Sequence, residues 1–274
     1  MHRAEPAGSL TARGLAARVA SLAGELCPGG LAAVGVGLPG PVSEGGEVGP
    51  LANLPELVGA EARALLEEEL GVPVAIDNDV NLAALGEHLR GCGQRVDDLA
   101  FISVGTGVGM GIVSGGRLLH GAGGGAGELG TLPLAPGQDA ADPRVLGPLE
   151  SVAGGAGLAA RWTVRRGADA EGPDVFAAAA RGDAVALGLL AEQADVLAMA
   201  VRAVQALLDP ELIVIGGGIG ARPDVFARLS EALAADGLPH PRLEQSALGD
   251  RAGVIGAVEA ARAAARAAQE AALR

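Results

Sequence analysis

Along the chain, short unbroken apolar runs alternate with stretches of helical spacing, the pattern of an α/β protein. A helix is expected from about Leu10 to Leu26, closed by Pro28-Gly29-Gly30. The run Leu31-Ala32-Ala33-Val34-Gly35-Val36 that follows reads as a buried strand. Pro55 to Leu70 is helical in pattern, with Gly71 in the C′ position and Pro73 just beyond, and a second apolar strand runs from Val72 to Ile76. Leu82, Leu85 and Leu89 share one face of a third helix that stops at Gly91.

Beyond Arg95-Val96-Asp97-Asp98 the texture changes to glycine-punctuated strands at Leu99 to Val104, Gly109 to Val113 and Arg117 to Leu119. A domain boundary is placed there, dividing residues 1–97 from 98–274. Gly121 to Gly157, rich in Gly, Pro and Asp, is expected to be irregular, and so long an irregular stretch points to function. Leu190, Ala194, Leu197, Val201, Val204 and Leu208 recur at alternating spacings of four and three within Ala184 to Leu208, as in a core helix. Asp209-Pro210 ends it, and the strand Leu212 to Ile215 enters Gly216-Gly217-Gly218. Helices are expected at about Asp224 to Ala235 and Gly253 to Leu273, the last packing back on the first lobe.

Composition narrows the chemistry. Aromatic residues make up 1% of the 274 residues, so the core is aliphatic and recognition by aromatic stacking is disfavoured. A net charge of −13 repels phosphate backbones and anionic lipid. Every basic side chain is Arg, which removes a Walker P-loop lysine, a Schiff-base lysine and the kinase-type lysine. Cys27 and Cys92 are too few for a disulfide framework or a cysteine-rich zinc site and fit a reducing cytoplasm. The longest uncharged windows, Leu26 to Ser43 and Leu99 to Gly116, are broken by Gly and Pro and read as strand-turn-strand, not membrane spans.

Four groups carry candidate chemistry. Asp77-Asn78-Asp79-Val80-Asn81 stands where a strand gives way to a helix; its carboxylates serve as acceptors or a general base, or the group is an Asx turn with Asn81 or Asp79 as N-cap. Gly105-Thr106-Gly107-Val108-Gly109-Met110-Gly111 is either a phosphate cradle, with bare amides and the Thr106 hydroxyl as donors, or a hairpin whose turn needs positive φ. Glu128, embedded in Gly123 to Gly130, is grouped with Glu150 as a functional carboxylate, or is a solvated loop residue. Gly216, Gly217 and Gly218 offer bare backbone to a purine, or a close packing point. The isolated His88, His120 and His240 lack metal spacing and read as surface or satisfied residues, and Trp162 as a packing residue.

The order of these groups resembles the ROK family of repressors, open reading frames and sugar kinases, from about Gly35 to Ala257. Gly35-Val36-Gly37-Leu38-Pro39-Gly40-Pro41-Val42 looks like its GxGxPGPV strand-turn, Asn53-Leu54-Pro55 its NLP segment, and Ile76-Asp77-Asn78-Asp79-Val80-Asn81 its IxNDxN motif. Gly105 to Gly111 resembles its second phosphate loop, Gly127-Glu128-Leu129-Gly130 the start of its ExGH signature, Leu149-Glu150 the end of its CLE element, and Gly216 to Gly218 its adenosine loop. The resemblance implies a two-lobed α/β fold of the actin-like, sugar-kinase type with a ribonuclease-H-like core. It also implies that Asn53, Asn78, Asp79, Glu128 and Glu150 bind a sugar, with Asp79 as the base in any phosphoryl transfer. Gly105, Thr106, Gly107, Gly109 and Gly216 to Gly218 would then bind the nucleotide, ATP with Mg²⁺.

Departures from the family pattern shape the expected function. No Gly-Gly pair is followed by Thr, so the D-x-G-G-T first phosphate loop and its opening strands have no counterpart. The N-terminal lobe is therefore expected to be incomplete, with Leu31 to Val36 as an apolar edge. Thr131 replaces the signature histidine, no cysteine lies between Leu132 and Glu150, and Leu57 stands where a Trp often follows the NLP segment. No zinc is expected. With Ser246 to Gly253, these features resemble the effector half of ROK transcriptional regulators without its DNA-binding domain; an ATP-dependent, glucokinase-like hexose kinase is the alternative. The expected partners are a small-molecule sugar and a second copy of the chain in a homodimer, with no direct nucleic-acid or membrane contact.

Overall fold

The computed structural model describes residues 11–274 apart from 28, 44, 50–58, 60, 135–146, 168, 236 and 240. The chain opens with α1 (Ala12–Leu26), whose first turn is capped by Thr11 accepting from the Gly14 amide at 3.1 Å. There follow β1 (Val34–Leu38), α2 (Ala62–Leu70), β2 (Val74–Asn78) and α3 (Asp79–Arg90). β1 and β2 pair in parallel from Val34↔Val74 to Leu38↔Asn78. Leu15 and Ala16 of α1, Leu66 of α2, and Val74 and Ile76 of β2 form an aliphatic core beside this small sheet. α2 stops because Gly71 takes a left-handed conformation, φ 65°, that ends the helix without a Cβ penalty.

The second sheet has five strands in the order β5-β4-β3-β6-β7. β3 (Leu99–Val104), β4 (Val108–Ser114) and β5 (Arg117–Leu118) form an antiparallel meander, while β6 (Leu212–Gly216) and β7 (Leu243–Gln245) run parallel to β3. Its central strands are apolar on both faces, as expected of strands covered on both sides. Ala100, Ile102, Val104, Ile213 and Ile215 face one core with α4 (Pro148–Ala153), α5 (Gly155–Arg166), α6 (Gly172–Ala180), α7 (Ala184–Leu208) and α9 (Pro223–Ala235). Leu99, Phe101, Leu212 and Val214 face the other, with Ala83 and Ala84 of α3 and Ala252 of α10 (Ala252–Ala272). The short α8 (Gly217–Gly220) follows β6 directly.

α7 is long and apolar enough to cross a membrane, but it buries Leu190, Leu197, Val201 and Val204 in the first of these cores; of the expected stripe Ala194 is buried outside that cluster and Leu208 is exposed. The irregular stretch expected to reach Gly157 ends earlier, because Pro148 opens α4 and Gly155 opens α5. These helices escape a reading based on apolar spacing because their glycines serve contact: a Cβ at Gly157 would overlap the Ser151 carbonyl. α6, which starts in a reciprocal cap between Glu171 and Asp174, and β7, which has no apolar run and exists through its pairing with β6, are not among the expected elements.

α3 and α10 join the two sheets. α3 lies along β3 and β4, and α10 packs on α3, β1 and β2. They meet backbone to backbone: a Cβ at Gly256 would overlap the Leu82 carbonyl oxygen and one at Gly86 the Ala252 carbonyl oxygen. Gly256→Ala is therefore expected to lower the unfolding free energy by about 2 kcal/mol or more, the scale of core overpacking. Gly188→Ala, in α7 where nothing lies within 4 Å of the added methyl, should raise it by up to about 1 kcal/mol through helix propensity. Urea unfolding of the two variants checks both signs.

Candidate functional site

The first turn of α3 is built by the motif that precedes it. Asn78 is its N-cap, accepting from the amides of Val80 (2.8 Å) and Asn81 (3.1 Å), so neither Asn81 nor Asp79 has the capping role expected of them. The Asn78 side-chain Nδ2 donates to the Gly40 carbonyl at 3.0 Å, tying the cap to the turn after β1. Asp77 accepts from the Asn78 amide at 2.7 Å and from the Asn81 side chain at 2.9 Å. With its neighbours spent on structure, Asp79 is the member of the motif that lines a cavity of about 580 Å³ between β1 and α10, beside Gly37, Leu82 and Gly253; Glu128 lines a separate cavity with Met110 and Leu132.

Glu128 and Glu150 arrive from the other sheet. Gly127, at φ 94°, accepts from the Met110 amide at 3.0 Å and lays the loop against β4, which sets Glu128 beside it. Glu150, buried in α4, accepts from the Val108 amide at 2.9 Å and fills the space over Gly107, where a Cβ would overlap its carboxylate. Asp79 and Glu128 are open to solvent by surface area, yet the concave surroundings exclude enough water to push both carboxyls above the usual range. The charges of Glu150 and then Asp79 add to the shift of Glu128, so all three carboxylates lie within electrostatic reach. At Asp79, amide hydrogen bonds from Val80 and from its own backbone pull the other way.

The glycine string between β3 and β4 is a hairpin turn without positive φ. Its glycines differ in purpose. Gly109 and Gly111 let α3 approach, a Cβ at Gly111 falling 2.6 Å from the Val80 carbonyl oxygen, whereas nothing lies within 4 Å of one at Gly105. The Gly105 and Thr106 carbonyls accept from the Gly155 and Ala156 amides at 2.8 and 3.0 Å, fastening the turn to the start of α5. Gly216 packs against the Phe101 ring, Gly217 (φ 81°) would place a Cβ 2.5 Å from the Val104 carbonyl oxygen, and Gly218 is open. Nothing crowds Gly105 or Gly218, although the Gly105 amide donates to the Gly107 carbonyl at 2.9 Å, while Gly107, Gly109, Gly216 and Gly217 are glycine for packing.

Asn53 and Leu57 lie outside the described residues, as does His240. Ser246 is not in the cleft: its hydroxyl donates to Glu87 at 2.5 Å and accepts from the Gly249 amide at 2.8 Å. Glu87 is fully buried and also accepts from the amides of Cys92 and Leu248, so this group staples α3 to the segment before α10. Burial, then Glu87, pushes the Cys92 thiol up to about 12. Among the described residues, no group of three His, Cys, Asp or Glu side chains is placed to hold a metal ion. His120, read as surface or satisfied, sits 2.7 Å from Asp77; a lone histidine carries no spacing signal that finds such a partner.

The sequence model of the ROK family matches residues 5–264 of the chain. A glucokinase from Halalkalibacterium halodurans is 37% identical over 211 residues, 70% of this chain and 64% of that protein. The chain spans less than two thirds of the length of such curated relatives, from 35% to 66%. A ROK hexokinase from Thermus thermophilus superposes with a TM-score of 0.80 at 32% identity, over 94% of this chain and 89% of that one. A ROK family transcriptional regulator, a homologue of the E. coli MLC protein, superposes with a TM-score of 0.77 at 28% identity, over 94% of this chain and 70% of that one.

A carboxyl whose folded pKa is raised contributes stability below its unfolded pKa and loses it as the pH rises through the folded value. Glu128→Gln should therefore melt at a slightly higher temperature than the parent protein at neutral pH. The solvent around Glu128 limits the gain to a few tenths of a kcal/mol, and it should vanish below the usual carboxylate range. Melting curves from acid to neutral pH check the sign.

Proposed function

The chain belongs to the ROK family, and from that premise we propose that it acts as a sugar kinase, binding a hexose or hexose derivative and transferring a phosphoryl group to one of its hydroxyls. The observation that carries this reading is that Asp79, Glu128 and Glu150 lie within electrostatic reach of one another, with Glu150 seated over the glycine turn at Gly107. Carboxylates are the acceptors that polyol hydroxyls require, and bare backbone is what a nucleotide phosphate approaches. The kinase alternative is better supported than the regulatory effector domain, since glucokinase and hexokinase relatives stand at 37% and 32% identity against 28% for the regulator.

In this reading Asp79 and Glu128, the two exposed carboxylates of the three, accept from sugar hydroxyls. Asn78 and Glu150 serve mainly by holding the α3 cap and the glycine turn, and Asn53 is retained as a sugar contact from the family pattern. Asp79 takes the proton from the attacking hydroxyl as its oxygen bonds to the terminal phosphorus of ATP and the bond from that phosphorus to the bridging oxygen breaks. The upward shift of the Asp79 carboxyl suits this role, because a stronger base takes the proton more readily. Gly105, Thr106 and Gly218 would hold the nucleotide, and Mg²⁺ bound with it would neutralise phosphate charge. The sugar-side groups come from both sides of the division near residue 97.

ADP release measured across a panel of hexoses and N-acetylhexosamines tests the proposal, and at least one sugar is expected to stimulate it. Asp79→Asn should cut kcat by about 10² or more, the scale of a lost general base, while sugar affinity measured by calorimetry changes far less. Sugar binding with no sugar-dependent ADP release would return the effector-domain reading, and no binding to any sugar would remove both.

A further inference from the structure

Two segments from different sheets meet at Asp77. One oxygen of this residue, at the end of β2, accepts from the Asn78 amide and the Asn81 side chain and so secures the turn that presents Asp79. The other lies 2.7 Å from Nε2 of His120, just after β5, and the pair is sheltered, the side chains being 13% and 26% exposed. The His120 carbonyl accepts from the Ala126 amide at 3.0 Å, closing the turn that leads into Gly127 and Glu128. Midway along that turn, Gly124 presses on the segment after β1, where a Cβ would fall 2.6 Å from the Val42 carbonyl oxygen. The loop carrying Glu128 thus touches the small sheet through its backbone at Gly124 and through the His120 side chain.

We propose that His120 is a positioning residue of the sugar site, its hydrogen bond to Asp77 holding the loop that bears Glu128 in register with the helix start that bears Asp79. The substrate assigned to the site rests on the sugar-kinase reading; the latch itself rests on the geometry. His120 acts through Asp77 and the Asn78–Asn81 cap. Neutral imidazole can donate from Nε2, and imidazolium donates from both nitrogens, so either protonation state maintains the bond. Without that donor, a sheltered carboxylate oxygen loses a partner. The loop then keeps its backbone contact at Gly124, and water gains access between Asp79 and Glu128. At metal sites, contacts that orient the ligating side chains are worth a factor of about 10 to 100, and the lower end of that scale is expected here.

Carboxyl ¹³C NMR titration of the full chain tests the latch without any ligand, with Asp79 and Glu128 as reporters and Glu150 as the third charge facing them. His120→Phe keeps ring volume but lacks a donor, His120→Ala removes both, and His120→Gln restores an N–H. In whichever donor-less variant folds, the Asp79 and Glu128 titrations should move down toward the usual carboxylate range, and His120→Gln should return them to the parent values. Hexose affinity should fall about ten-fold and recover in the same order. Unchanged titrations in a folded donor-less variant overturn the proposal, as does a shift that His120→Gln fails to reverse. A parent protein that binds no hexose would remove the sugar-site reading, and the titrations would still decide the latch.

Discussion

The close crossing of α3 and α10 is the constraint on which the rest of the structure depends. Gly86 and Gly256 let the helices touch through backbone, and Gly35 admits α10 to β1, where a Cβ would overlap the Ala257 carbonyl. Larger residues at these points would hold the helices apart, because packed interiors accommodate added atoms poorly. On its other side α3 rests on Gly109 and Gly111 of β4. The helix is therefore clamped between the two sheets, and its first residue, Asp79, is delivered to the cleft between them.

A second consequence is electrostatic. The clamp brings Asp79 near Glu128 and Glu150, three like charges with the Val108 amide as one anchoring donor at Glu150. The fold accepts a raised pKa at Asp79 and Glu128, caused first by burial and at Glu128 increased by the neighbouring charges, a local cost of the kind that functional sites carry. Elsewhere a buried carboxylate is fully satisfied: Glu87 receives the Cys92 and Leu248 amides and the Ser246 hydroxyl. Glu87 stabilises the fold by joining α3 to the segment before α10.

The loop from His120 to Thr131 shows how the halves of the site are joined. Gly124 and Gly127 press its backbone against the turn after β1 and against β4, and His120 reaches Asp77. This loop contains no regular element longer than the short 3₁₀ turn at Leu129–Thr131. Its shape comes from what it touches, which is how glycine-rich segments acquire a defined path without secondary structure of their own.

The sequence by itself determined the central strands, the long core helix and the order of the chemical motifs. Those features are periodic or local: Leu99 to Val104 is an unbroken apolar run, Leu190 to Val204 recurs at helical spacing, and an Asn-Asp pair at a strand end is legible without knowing its neighbours. It did not determine which residue of that pair's motif caps α3, that Gly107 yields to Glu150 while Gly105 stays open, or that α4 and α5 form inside a glycine-rich stretch. Nor did it place His120 against Asp77, 43 residues away in sequence. Each of these depends on surfaces brought together by long-range packing: a glycine looks the same in a sequence whether it faces a carbonyl, a carboxylate or open space. Only the tertiary structure decided between them, because the deciding quantity is the distance to an atom elsewhere in the chain.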